Sequence, residues 1–224
     1  MRGAAVLRPQ PGNAQTVARL AAQGVDVLAV PLFAVVPLAW KLPDLSRYDA
    51  LLLTSANAVR HGGPGLATVR HLPVIAVGAT TAAVASRAGF KIWVAGDHDA
   101  TAALEAAGPC RPLHLAGRDR RDVGADAVSV YASEALVPES GALAAMAGRI
   151  ALAHSPRAAA RLASLIRGTD RAKIGLAALS PAVLAAAGEG WGWAAAAAVP
   201  QDETLVELVV KRLTGSPPPR ISGA

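Results

Sequence analysis

Residues 51–60 read LLLTSANAVR. Three leucines run into Thr54 and Ser55, and Ala56, Asn57, Ala58, Val59 and Arg60 follow with a helical pattern. A short apolar run closed by hydroxyl residues and continued by a helix predicts a buried parallel strand feeding a helix N-terminus. Amides at such an end lack intrahelical partners and carry partial positive charge, so the turn suits an anion. Residues 150–162, IALAHSPRAAARL, repeat the arrangement with Ser155, Pro156 and Arg157 at the turn. Two copies about a hundred positions apart predict two similar halves.

The spacing around these turns extends the repeat. Ser55 aligns with Ser155, Thr81 with Ser180, Gly89 with Gly188, and Asp99-Thr101 with Asp202-Thr204. Working outward, strands are predicted near 48–54, 74–77, 91–95 and 113–115 in one half. In the other they fall near 150–153, 174–179 and 194–199, each followed by a turn and a helix. Asp97 to Asp99 are candidate caps for a helix over 101–107, and a helix over 141–147 leads into Ile150. The chain opens on a strand–helix–strand unit, 4–7, 12–24 and 25–30, whose first strand ends at Arg8-Pro9. An extended stretch with Pro31 and Pro37 separates that unit from the first series. The opening unit is therefore expected to join the last segment.

The predicted class is α/β, two doubly wound parallel-sheet domains joined by a two-stranded linker, one inserted in the other. Residues 1–33 plus 138–214 form the discontinuous domain and 41–130 the inserted one. Residues 34–40 and 131–137 are the linkers, and 215–224, with three consecutive prolines, a disordered tail. In open α/β sheets ligands sit outside the carboxyl ends of the strands. The candidate binding residues are therefore Arg8, Thr54, Ser55, Asn57, Gly78, Thr80, Thr81, Gly117, Arg118, Arg120, Arg121, Ser155, Arg157 and Ser180, lining a cleft between the domains. For any one Ser or Thr the ordinary role is a helix cap; the functional case rests on convergence.

Composition excludes several classes. At 53% hydrophobic and 17% charged residues the chain is globular, not disordered. Its apolar runs are interrupted well before the roughly 20 residues of a membrane helix, and MRGAAVLRPQ does not read as a signal segment. A lone Cys110 rules out an intrachain disulfide and a thiolate zinc site, so the cytoplasm is the expected compartment. The net charge of +6 points to an acidic partner. Only two Tyr and two Phe are present, too few for base-stacking platforms, so an anionic small molecule is favoured over nucleic acid. No GxGxxG turn, Walker A loop or GxSxG elbow follows a strand. The five histidines show no metal-ligand spacing and read as surface or turn residues. No metal and no cofactor are expected.

Taken in order, these segments resemble the uroporphyrinogen-III synthase family. The likeness is carried by the opening strand with Arg8-Pro9, LLLTSANAVR, VIAVGATTAAVASRAGF, LHLAGRDRR and VSVYASEA. It continues through AHSPRAAARL, LSPAVLAAAGEGW and QDETLVELV. The resemblance implies two α/β domains joined by a two-stranded connector. It implies conversion of hydroxymethylbilane to uroporphyrinogen III, with loss of water and inversion of the last pyrrole ring, and without metal or cofactor. It also implies a monomer, with the preceding enzyme of the pathway as a candidate partner. Tyr131, in an extended segment where packing is a tyrosine's common role, is the position matching a general acid. Two departures stand out: only Asp122 to Ala127 intervene where the family has a helix before that strand, and Ser180-Pro181 replaces a Thr-Thr turn. A non-catalytic two-lobed protein binding an anionic ligand, or a degenerate synthase kept as a partner-binding domain, is the alternative.

Overall fold

A computed structural model describes residues 1–96 and 99–215. In chain order the elements are β1 (Ala4–Val6), α1 (Gly12–Ala22), β2 (Val27–Ala29), β3 (Phe33–Pro37), β4 (Ala50–Leu53), α2 (Ala56–His61), α3 (Leu66–Val69) and β5 (Val74–Val77). They continue as α4 (Ala79–Arg87), β6 (Ile92–Gly96), α5 (Ala100–Ala107), β7 (Pro112–Gly117), β8 (Ala127–Ala135), β9 (Ile150–Ala153) and α6 (Pro156–Leu165). The chain closes with α7 (Gly168–Arg171), β10 (Gly175–Ala178), α8 (Pro181–Ala187), β11 (Trp193–Ala196) and α9 (Asp202–Thr214).

The chain divides into two compact units, Met1–Ala34 with the chain from Ala135 onward, and Val35–Glu134. The first holds a five-stranded sheet in the order β11-β10-β9-β1-β2, parallel throughout. Alternate side chains leave opposite faces of a strand, and both faces are covered. Ala5, Leu7, Ala151, Ala153, Leu176 and Ala178 pack on α6 and α8. Ala4, Val6, Ile150, Leu152 and Ala177 pack on Leu20 of α1 and on Leu205, Val206 and Val209 of α9. The strands are rich in alanine, and α6 answers with Ala158 and Ala159.

The second unit is built on larger residues. Its sheet belongs to the six-stranded order β3-β8-β7-β4-β5-β6, with β8 to β6 parallel. Leu51, Leu53, Val74, Leu113, Leu115 and Val130 bury one face against α2, α3 and α4. On the other face Ala50, Leu52 and Ile75 meet Ala103 of α5, with Val123 and Ala125 of the 118–126 segment. That segment contains no helix.

Several expectations are corrected. Residues 141–147 form only a 3₁₀ turn at Ala144–Met146, after the left-handed Gly141. The α4 helix begins at Ala79, so Thr80 and Thr81 belong to its first turn and not to the preceding loop. No correction attaches to 34–40 and 131–137, where Leu38 donates to Val130 and Leu136 to Leu32, an antiparallel pairing of β3 with β8. Gly215 closes α9 in the left-handed conformation. The remainder of the expected tail, and the candidate cap at Asp97, lie outside the described residues.

Candidate functional site

Because neighbouring strands are parallel, the turns that leave their carboxyl ends lie along one edge of each sheet. In the first unit Arg8 follows β1, His154 and Ser155 follow β9, and Ser180 follows β10, three adjacent strands. In the second, Thr54 and Ser55 follow β4, Gly78 follows β5, and Gly117 and Arg118 end β7. Each group is brought together within its own unit.

The serines cap helices. Ser55 Oγ accepts from the Asn57 amide at 3.2 Å, Ser155 Oγ from the Ala158 amide at 3.2 Å, and Ser180 Oγ from the Val183 amide at 3.4 Å. Pro156 and Pro181 at the first helical positions give up no bond, since those amides have no intrahelical partner. Asn57 accepts from Arg60, 3.3 Å. Gly78 starts α4 with φ +86°, a conformation that frees its carbonyl to accept from Thr81 and Ala82. Thr80 is exposed, whereas Thr81 faces the interior.

Arg8 is held in a charged network. Asp202, the first residue of α9, caps nothing with its side chain, unlike Asp99 with which the repeat aligned it. Its Oδ1 accepts from Thr16 at 2.7 Å and from Arg8 at 3.3 Å, and lies 2.6 Å from His154 Nε2. Its Oδ2 accepts from Arg19. Burial alone would raise the Asp202 pKa, but the bonds from His154 and Thr16 and the charge of Arg8 outweigh it and hold the carboxyl well below the usual range. Asn13, buried, ties the turn from β1 by donating to the carbonyls of Val6 and Arg8 at 2.9 and 3.0 Å. Gly12 leaves room for the guanidinium, since a Cβ there would lie 2.3 Å from Arg8 Nε. Arg157 stacks over Phe33, 4.6 Å from the ring centroid.

Tyr131 sits beside the end of β7. Arg118 donates its amide to the Tyr131 carbonyl at 2.9 Å, and the His61 ring lies 6.5 Å from the phenol ring. A Cβ on Gly117 would fall 2.9 Å from Tyr131 Cε2 and Cζ and 3.1 Å from the hydroxyl. Gly117 therefore makes space for the phenol. Arg118 pairs with Glu134 at 2.9 Å, Arg120 donates to Ser129 Oγ at 2.9 Å, and Arg121 is exposed.

Sequence reasoning missed two histidines. His154 is nearly buried beside Asp202, and His114 is 2% exposed with Nε2 3.0 Å from Thr54 Oγ1. Burial, then the charge of Arg120, pushes the His114 pKa down to about 4. Their placement depends on strand pairing that spacing alone does not reveal. Among the described residues no group of three or more His, Cys, Asp or Glu is arranged to hold a metal.

The sequence profile described as uroporphyrinogen-III synthase HemD matches residues 14–207. The chain belongs to the uroporphyrinogen-III synthase family. Its activity is that of a cyclising lyase of tetrapyrrole biosynthesis, closing hydroxymethylbilane with loss of water and inversion of the terminal pyrrole ring. The fold is similar to that of uroporphyrinogen-III synthetase from Helicobacter pylori 26695, with TM-score 0.69 and 16% identity over 95% of this chain and 100% of that one. It is also similar to a mutant uroporphyrinogen III synthase from the extremely thermophilic bacterium Thermus thermophilus, with TM-score 0.52 and 14% identity over 96% and 100% of the two chains. No curated protein matches the sequence.

Proposed function

We propose that the turns at the carboxyl edges of the two sheets bind the carboxylates of hydroxymethylbilane, and that Tyr131 is the general acid. The membership of residues 14–207 in the synthase family carries this reading. Arg8, Arg118, Arg120, Arg121 and Arg157 supply cations. Thr54, Ser55, Asn57, Thr80, Ser155 and Ser180 supply hydroxyl or amide groups. Gly78, Gly117 and Thr81 let the backbone take part, and helix N-termini add partial positive charge.

In the reaction the Tyr131 phenol donates its proton to the hydroxymethyl oxygen as the C–O bond breaks, with electrons from the adjoining pyrrole nitrogen. The substituted carbon of the terminal ring then attacks the exposed methylene, giving a spiro intermediate. The bond from the spiro carbon to the adjoining bridge methylene then breaks. That methylene bonds to the ring's unsubstituted α-carbon, so that the ring is turned over, and the proton this carbon loses restores the acid. One water leaves and no electrons are exchanged, so the step asks nothing of a metal or cofactor. Holding the chain folded, against simple end-to-end closure, is the larger part of the task.

The same reading takes 1–33 with 138–214 as an outer domain, 41–130 as an inserted one, and 34–40 with 131–137 as the linker. The antiparallel pairing of β3 with β8 supports it. It also takes the protein as a cytoplasmic monomer supplied by the enzyme that makes the bilane. Among the described residues no helix is long and apolar enough to cross a membrane.

Incubation with freshly generated hydroxymethylbilane tests the reading. Uroporphyrinogen III formed faster than spontaneous closure is expected; the symmetric type I product alone, at the uncatalysed rate, overturns it.

A further inference from the structure

Parallel neighbours in a sheet are ordinarily joined by a helix laid over one face. The segment 118–126 joins β7 to β8 without one. The paired residues His114 with Ala127, and Ala116 with Ser129, turn toward the face that such a helix would cover. Two are small and two are polar, so this part of the sheet offers no apolar stripe for a helix to bury. A cavity of about 490 Å³ lies there, lined by His114, Arg118, Arg120, Arg121, Asp122 and Asp126 among others.

The acidic groups of its wall are already engaged. Asp122 Oδ1 accepts from the Gly124 amide at 3.0 Å, and Asp126 Oδ2 from the Tyr48 hydroxyl at 2.9 Å. Arg118 is paired with Glu134. Arg120 bonds only the uncharged Ser129 hydroxyl, and Arg121 makes no hydrogen bond or ion pair among the described residues. Beneath them the buried His114 has an Nδ1 with no partner in the protein. A buried ring nitrogen left unmatched is destabilising, so the position favours a ligand that can bond it. Thr54 can donate its hydroxyl to Nε2, which leaves the ring proton on Nδ1.

We infer that this pocket binds an oxyanion, carboxylate or phosphate, through Arg120 and Arg121 with the neutral imidazole of His114 as its floor. The site lies wholly within the second unit; where its anion is a tetrapyrrole carboxylate it rests on the proposed function, which gives Arg120 and Arg121 to the substrate. The oxyanion has two sources, a free small anion or one carboxylate of the tetrapyrrole.

The full chain is titrated with inorganic phosphate, against sodium chloride at matched ionic strength, while the His114 imidazole is followed by NMR. A saturable shift with phosphate is expected, together with a rise of the His114 pKa, because a nearby anion favours imidazolium. Arg121→Ala is expected to weaken phosphate binding about tenfold, and Arg120→Gln to weaken it also. Arg87→Ala, on the exposed end of α4, leaves it unchanged. A chloride response equal to that of phosphate, or an undiminished response in Arg121→Ala with native circular dichroism, overturns the assignment. Uroporphyrinogen III is then added to the phosphate-bound protein. Displacement of phosphate identifies the tetrapyrrole carboxylate as the source, and retention identifies a free anion.

Discussion

A methyl group on Gly117 would meet the Tyr131 ring at 2.9 Å, closer than carbon atoms ordinarily pack. The ring is itself packed against the leucine face of its unit, so it has little freedom to retreat. Gly117→Ala is expected to cost about 1–3 kcal/mol in urea unfolding by overpacking, and to lower type III formation by moving the phenol. Tyr131→Phe keeps the ring and removes only the proton. Its expected result is a native unfolding midpoint with type III formation slowed about 10²-fold or more, the usual range for a lost general acid. Unchanged turnover would remove Tyr131 from the proposed role. Both residues were visible in the sequence, but their mutual contact was not. Gly117 looked like a binding-loop glycine, and only the register of β7 on β8 shows what its missing side chain allows.

At the scale of elements, the two turns at Ser55 and Ser155 show how far local pattern reaches. Each apolar run became a buried strand and each serine a cap, because the chemistry that makes these choices lies within a few residues. Ser55→Ala and Ser155→Ala are each expected to lower stability by about 1 kcal/mol, read from chemical denaturation. A loss well above that in either variant would mean that the hydroxyl does more than cap. Where the outcome was tertiary, the sequence was a poorer guide. Asp202 aligns with the capping Asp99, yet Arg8, Arg19, Thr16 and His154 draw its carboxylate sideways. The helix expected over 141–147 shrank to a single turn, since only Met146 within the turn is fully buried and little apolar surface rewards a longer element.

For the whole molecule, acid is expected to act through both units. Asp202 has a folded pKa below its unfolded value, so its contribution is present above about pH 4 and lost as the pH falls. His114 has a folded pKa of about 4 against 6.5 unfolded. The unfolded chain therefore takes up the proton first, and stability falls as the pH drops from about 6.5 toward 4, by up to about 3 kcal/mol. Urea unfolding at pH 7 and pH 5 is expected to show a lower free energy at pH 5, and His114→Gln to flatten the difference. A stability unchanged over that interval in the parent protein would exclude the buried neutral ring. Of the candidate site, the turn residues were legible because they end recognisable strands. The histidines were not, because burial and partners far along the chain decide their chemistry: Thr54 is 60 positions from His114, and Asp202 of α9 is 48 from His154.

The contrast between alanine strands in one unit and leucine strands in the other bears on how the protein can drift over evolutionary time. Where Ala4, Ala5, Ala151, Ala153, Ala177 and Ala178 sit fully buried, shrinking a side chain removes almost nothing, and enlarging it by one or two carbons forces two backbones apart. Where Leu51, Leu52, Leu53, Leu113 and Leu115 fill the interior, truncation leaves a void worth several kcal/mol, while exchanges of similar volume are tolerated. These alanine positions are therefore closed to growth and these leucine positions to loss. A saturation library scored for folded protein should show opposite size preferences at the buried alanines of β1, β9 and β10 and at the buried leucines of β4 and β7.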